Sequence, residues 1–154
     1  MSINLYIVRH GRIVTDEKNK SNYLHLSEEG KIFGEFLNKH FANIYFDHIF
    51  YQSTDIKTSD PYNKCRATIL GMKGVKSEFT KPQLSMAFEG LNATDSGVQN
   101  IMVCFRAAGF NVLENILSPN SEEEFNKDYH RIFHYRFSGN NYRFIGKLTA
   151  DEKG

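Results

Sequence analysis

Apolar side chains fill nearly every position of residues 3–9, INLYIVR. A short β-branched run that is apolar on both faces predicts a central strand covered from both sides. Residues 11–26 are polar and irregular and predict a loop. Ser27 then stands as a helix N-cap, with Glu28 and Glu29 in the first turn, where carboxylates suit the helix dipole. Ile32, Phe33, Phe36, Leu37 and Phe41 follow at helical spacing, so residues 28–41 are expected to form an amphipathic helix. Residues 47–52, DHIFYQ, predict a second strand, and residues 53–60 a polar connection. Pro61 suits the first turn of a short helix that runs to about Leu70, with Gly71 and Gly74 ending it.

Beyond that helix, residues 75–79 predict a third strand and residues 80–98 are loop-like. Residues 99–105, QNIMVCF, read as another buried strand, followed by a helix through Asn111–Leu117 that Ser118-Pro119 stops. Residues 121–128 suggest a short acidic turn or helix capped by Ser121. Residues 130–148 alternate aromatic and polar side chains, as one or two antiparallel strands at a sheet edge would. Strands that alternate with helices argue for an α/β sandwich with a mostly parallel sheet. Sites in such sheets lie at the C-terminal ends of strands, and Arg9-His10 sits at one.

The length of 154 residues fits one domain spanning 1–154. At 40% hydrophobic and 24% charged, the chain can build an ordinary globular core. Nineteen basic residues against eighteen acidic ones give a formal charge of +1, which argues against a dedicated nucleic-acid binder. Cys65 and Cys104 form neither a disulfide framework nor a zinc site and are expected to be buried, small and apolar. The N-terminus does not read as a cleavable leader, and no apolar run reaches the length of a membrane span. A cytoplasmic location without membrane contact is the expectation.

The candidate chemistry is concentrated in Arg9, His10 and Gly11. A neutral, fixed imidazole can attack phosphorus directly. Guanidinium forks neutralise phosphoryl oxygens well, and a glycine lets backbone approach a ligand closely. Arg106 is the second notable cation, since it follows a strongly apolar strand and precedes Ala-Ala-Gly. Lys64 and Arg66 on a short helix would ordinarily face solvent. His130 and His134 have a metal-compatible spacing only on a helix; strand is expected there, and no metal is assigned. Arg131, Arg136, Arg143 and Lys147 lie among aromatic residues, and blunting of an edge strand accounts for them without nucleic acid.

LYIVRHGR, followed by a loop and then LSEEGKIFGEFL, resembles the opening of the histidine phosphatase (phosphoglycerate mutase-like) superfamily. That family pairs an apolar strand ending in Arg-His-Gly with a Leu-(Ser/Thr)-x-x-Gly helix start, which Leu26 to Gly30 match. FDHIFYQS resembles the family's second strand, and NIMVCFRAAGFNVLENIL its later strand-turn-helix. The similarity covers about residues 4–117, and the length is close to that of small members such as bacterial phosphohistidine phosphatases. The resemblance implies a three-layer sandwich with helices on both faces of the sheet. It implies His10 as a nucleophile that becomes phosphohistidine, Arg9 as a phosphate clamp and Gly11 as the tight turn beneath them, with no cofactor.

Three positions depart from the family pattern. Lys64 stands where the family has a second arginine, and Arg66, two residues on, is the alternative. Arg106 occupies the place of the family's second histidine, with Ala107 in place of a glycine. Alignment puts Met86 where many members carry a proton-donating acid; Glu89 is the nearest candidate for that role and Glu78 a weaker one. Arg9, Gly11, Lys64, Arg66 and Arg106 are therefore the expected phosphate-binding set, with His10, Arg9 and Glu89 as the catalytic set. The expected activity is metal-independent hydrolysis of a small phosphomonoester or a phosphorylated protein. The alternative is a pseudophosphatase that binds a phosphorylated ligand in a cationic pocket without turnover.

Overall fold

The computed structural model describes residues 2–14, 25–53, 62–80, 82–84, 97–117, 127–138 and 141–150. Strand β1 is Ser2–Arg9, helix α1 Glu28–His40, β2 Phe46–Gln52, α2 Lys64–Ile69 and β3 Gly74–Phe79. They are followed by β4 (Val98–Phe105), a 3-10 turn at Ala107–Gly109, α3 (Phe110–Leu117), β5 (Arg131–Ser138) and β6 (Asn141–Thr149). Residues 82–84 make a single helical turn. The predicted acidic segment lies outside the described residues except for Lys127 and Asp128, and Pro61 lies outside them too.

One six-stranded sheet runs in the order β3-β2-β4-β1-β5-β6. It is mixed. The β1–β4, β2–β4 and β2–β3 pairings are parallel, whereas β1–β5 and β5–β6 are antiparallel. The aromatic stretch supplies β5 and β6, two antiparallel strands at that side of the sheet as expected, with β6 outermost. Ile132, Phe133, Tyr135 and Phe137 are all buried, so β5 is too apolar for an edge and inserts between β1 and β6. Of the basic residues read as edge-blunting, Arg143 and Lys147 lie on β6, and Arg131 and Arg136 on inner β5.

Alternation along the strands builds two cores. Ile3, Leu5 and Ile7 of β1 join Ile101, Val103 and Phe105 of β4 against Leu113 and Leu117 of α3. On the other face, Val8, Met102, Cys104 and Ile49 meet Phe33 and Leu37 of α1 and Cys65 and Ile69 of α2. Both cysteines are buried and free, as their apolar surroundings predict. At the far end of that second face the side chains turn polar. Asn4 donates to the Asn100 side chain (3.2 Å) and accepts from Arg136 (3.3 Å), and Asp47 accepts from the Asn100 backbone N–H (2.8 Å).

Helix α1 starts as its sequence dictates. Ser27 Oγ caps it by accepting from Gly30 N–H (3.2 Å) and itself donates to the Arg12 carbonyl (3.0 Å). This cap pins the loop after β1 onto the first turn of α1. There two glycines meet: a Cβ on Gly11 would lie 2.7 Å from the Gly30 backbone, and one on Gly30 would strike the Arg12 carbonyl. The Arg-His-Gly and Leu-Ser-x-x-Gly motifs are thus the two halves of a single backbone contact.

Overpacking of this kind costs about 1–3 kcal/mol. Gly30→Ala should therefore lower stability by about 2 kcal/mol, read as a lower urea midpoint at unchanged slope. An unchanged midpoint would mean that the close approach is not needed.

Candidate functional site

Because β1, β2 and β4 are parallel, their C-terminal ends share one rim of the sheet. His10, Gln52-Ser53 and Arg106 lie at those three ends. Antiparallel β5 contributes its beginning to the same rim, since Val8 pairs with Ile132. Tyr129 and His130, the residues just before β5, are thereby brought beside His10, and the ring of Tyr129 lies edge-on to the imidazole at 5.5 Å between centroids.

His10 is buried, with only 1% of its surface exposed. Its Nδ1 lies 2.7 Å from the Gly11 carbonyl oxygen. A carbonyl can only accept, so Nδ1 carries the proton and Nε2 keeps its lone pair. The ring is strongly biased to the neutral form. Burial is the largest cause, the charges of Lys64, Arg9 and Arg106 add to it, and the Gly11 bond opposes it; together they push the pKa from 6.5 down to about 3. A fixed, neutral imidazole with a free Nε2 is what a nucleophile requires.

Three cations act on this ring. Arg9 stacks its guanidinium over Tyr129 (4.0 Å) and donates from Nη1 to the Lys127 carbonyl (2.6 Å). Its Nε–H is buried, and among the described residues it has no acceptor. Lys64, at the start of α2, is half-buried; burial and then the charges of Arg106 and Arg9 lower its pKa, against an opposing effect of Cys65. Arg106 is anchored by Gln52 Oε1, which accepts its backbone N–H (2.8 Å), and by the Ser53 carbonyl, which accepts its Nε–H (2.9 Å). Arg66 is exposed, with its backbone N–H donating to the Asn63 cap (3.0 Å). Of the two alternatives, it is therefore Lys64 that lies within electrostatic reach of His10.

Some supporting residues carry little mark in the sequence. Thr68 Oγ1 accepts the Gly11 N–H (2.9 Å) and donates to the Lys64 carbonyl (2.7 Å), joining the turn after His10 to α2. His130 Nε2 accepts the Arg12 N–H (3.3 Å), and its ring stacks on Phe33. The signal for Thr68 was its position four residues after Lys64, one helical turn on, where a hydroxyl can bond the carbonyl below. Tyr129 carried no such local signal. Glu89 and Met86 lie outside the described residues, and Glu78 is exposed on β3. Among the described residues no cluster of His, Cys, Asp and Glu could hold a metal ion.

Solved structures share this fold. A protein assigned as the phosphohistidine phosphatase SixA from Agrobacterium tumefaciens matches with a TM-score of 0.59 at 16% identity, over 95% of this chain and 97% of its own. A phosphoserine phosphatase from Entamoeba histolytica, in complex with 3-phosphoglyceric acid, matches with 0.60 at 12% identity, over 96% and 98%. A phosphoglycerate mutase from Bacillus anthracis matches with 0.61 at 10% identity, over 94% and 92%. No protein-family model and no curated protein matches the sequence. At these identities the likeness is one of fold.

The depressed His10 pKa has a consequence for stability. Between pH 6.5 and about 3 the unfolded imidazole binds a proton that the folded one refuses. The contribution is fully present above pH 6.5 and falls on acidification, by up to about 1.4 kcal/mol per pH unit. Thermal unfolding of wild type and His10→Asn across this range should show a shallower acid dependence in the variant. Parallel curves would rule out a buried neutral His10.

Proposed function

We propose that this chain, whose fold is that of the histidine phosphatase (phosphoglycerate mutase-like) superfamily, hydrolyses phosphomonoesters through a phosphohistidine at His10. The observation that carries the reading is the state of His10. Its Nδ1 proton is held by the Gly11 carbonyl, its Nε2 keeps its lone pair, and the charges of Arg9, Lys64 and Arg106 act on the ring. With this goes a single-domain, three-layer reading of the chain, which the two apolar clusters support.

The chemistry takes two steps. Nε2 attacks phosphorus, the P–N bond forms, and the ester P–O bond breaks with its electron pair on the leaving oxygen. Water then attacks the phosphohistidine, and phosphate leaves as the imidazole recovers its lone pair. The cations stabilise the charge that spreads over the phosphoryl oxygens in both steps. The Nε–H of Arg9, which has no acceptor among the described residues, is a donor for one of those oxygens. The leaving oxygen needs a proton; Glu89 is the candidate donor, and general-acid help of this kind is worth about 10²–10⁴ in rate. None of these steps draws on a metal. The substrate is a small phosphorylated molecule or a phosphoprotein. Among the described residues no helix is long and apolar enough to cross a membrane.

A second reading keeps the pocket and drops the turnover. Nη1 of Arg9 and Nε of Arg106 already donate to backbone carbonyls, and Lys64 offers a point charge in place of a two-pronged donor. A pseudophosphatase would bind a phosphorylated ligand with this set and release nothing.

Phosphate release from p-nitrophenyl phosphate, with chelator present, separates these readings. The enzyme is expected to turn over, and His10→Ala to abolish the signal. Stabilisation by vanadate without turnover would identify the binding module. Neither turnover nor stabilisation would sink both.

A further inference from the structure

The peptide that joins Gly11 to Arg12 lies between two imidazoles. Its carbonyl accepts from Nδ1 of His10 (2.7 Å), and its N–H donates to Nε2 of His130 (3.3 Å). Among the described residues no peptide bond is cis. A trans peptide is planar and rigid, and its C=O and N–H point in opposite directions. Holding the N–H therefore aims the carbonyl. Two bonds made through one peptide also polarise and strengthen each other.

The neighbouring peptides are tied to other elements. His10 N–H donates to the Phe105 carbonyl of β4 (3.1 Å), and Gly11 N–H to the Thr68 hydroxyl of α2 (2.9 Å). The Arg12 carbonyl accepts from the Ser27 N–H (2.8 Å) and hydroxyl (3.0 Å) at the start of α1. A peptide can still turn over between fixed neighbours by opposed rotations on its two sides. Glycine tolerates most backbone conformations and resists such a turn least. The residue that permits the close packing on α1 is thus also the one that leaves this peptide easiest to turn. The bond to His130 opposes the turn.

His130 is held from several sides. It precedes β5, is 2% exposed and stacks its ring on Phe33 of α1 (4.8 Å between centroids, 22° between planes). Its carbonyl accepts the N–H of Ala150, the residue after β6 (2.9 Å). Its φ is 60°, and among the described residues no other non-glycine lies in the left-handed region. Glycine takes that conformation at no steric cost, whereas a histidine there carries strain. The strained backbone delivers a side chain that glycine lacks, and Nε2 of that side chain reaches Arg12.

We infer that His130 is a positioning residue for His10: through the Gly11–Arg12 peptide it keeps the proton of the His10 ring on Nδ1 and the lone pair on Nε2. A neutral imidazole can carry its one proton on either nitrogen, and hydrogen bonding decides which. With the carbonyl turned away the proton can pass to Nε2, and the lone pair there is lost. The effect on turnover rests on the reading of His10 as a nucleophile; the effect on the tautomer does not.

The test is nitrogen NMR of protein labelled in its histidine rings, joined to kinetics with p-nitrophenyl phosphate. His130→Phe keeps a stacking ring and removes the acceptor, whereas His130→Gln keeps an acceptor and removes the ring. In the wild type, His10 should carry its proton on Nδ1 and His130 its lone pair on Nε2. In His130→Phe the ratio of Nδ1–H to Nε2–H tautomers of His10 should fall about tenfold, the worth of one hydrogen bond, and His130→Gln should restore it. The kcat should fall about tenfold in His130→Phe with KM within about twofold, and His130→Gln should recover most of the loss. An unchanged His10 tautomer in His130→Phe, or equal losses in both variants, overturns the inference. So does a wild-type His130 with its proton on Nε2, which is read even if neither variant folds. A tautomer that follows the acceptor in a protein without turnover overturns the phosphatase reading and leaves the inference standing.

Discussion

The approach of Gly11 to Gly30 sets the geometry of everything around it. The peptide that follows His10 is wedged between two helices. Its glycine packs so closely on the backbone of α1 that a Cβ there would come within 2.7 Å of it, and its N–H reaches the Thr68 hydroxyl of α2. With the N–H held and no Cβ in the way, the Gly11 carbonyl is left facing the His10 ring, where it fixes Nδ1. Thr68 passes the constraint on to the Lys64 carbonyl and so to the first turn of α2. A methyl group on either glycine would push α1 away from the turn. It would disturb the tautomer of His10 without touching its side chain.

The electrostatics follow from that confinement. An imidazole with little exposure in the neighbourhood of Arg9, Lys64 and Arg106 stays neutral because the charged form would lose its water and meet like charge. The same environment depresses the pKa of Lys64. Such a cluster is unfavourable by itself and becomes favourable when a dianion enters. A low pKa makes the nitrogen a weaker base, but it guarantees that the lone pair is present across the physiological range. A dianion bound among these cations would reverse the field at the ring. The cations that hold His10 neutral are the ones that neutralise the group it would attack.

The parallel part of this design was legible in the sequence. The run INLYIVR marks β1, the Ser27 cap and the spacing of Phe33 and Leu37 mark α1, and QNIMVCF marks β4, because each is a local pattern of burial. His10 and Arg106 were legible as polar residues ending apolar strands. The choice between Lys64 and Arg66 was not, because it depends on where α2 begins, and the Asn63 cap decides that. Nor was the order of the strands. Alternation of apolar and polar residues along 130–148 is the same for an edge strand and for a strand one place further in. What distinguishes them is burial of Tyr135 and Phe137 on one face and of Ile132 on the other, which is a property of the assembled sheet.

That single topological fact brings a further segment of chain to His10. A parallel strand next to β1 would end at this rim; an antiparallel one begins there. The residues that lead into β5, Lys127 to Arg131, therefore arrive beside Arg9 and His10 from 118 positions away along the chain, as the Arg9–Lys127 bond records. They bring Tyr129 to the edge of the imidazole and the Lys127 carbonyl to the Arg9 guanidinium. The ends of β1, β2 and β4 bring His10, Gln52-Ser53 and Arg106 to the rim in one direction, and antiparallel β5 adds Tyr129 and His130 from the other.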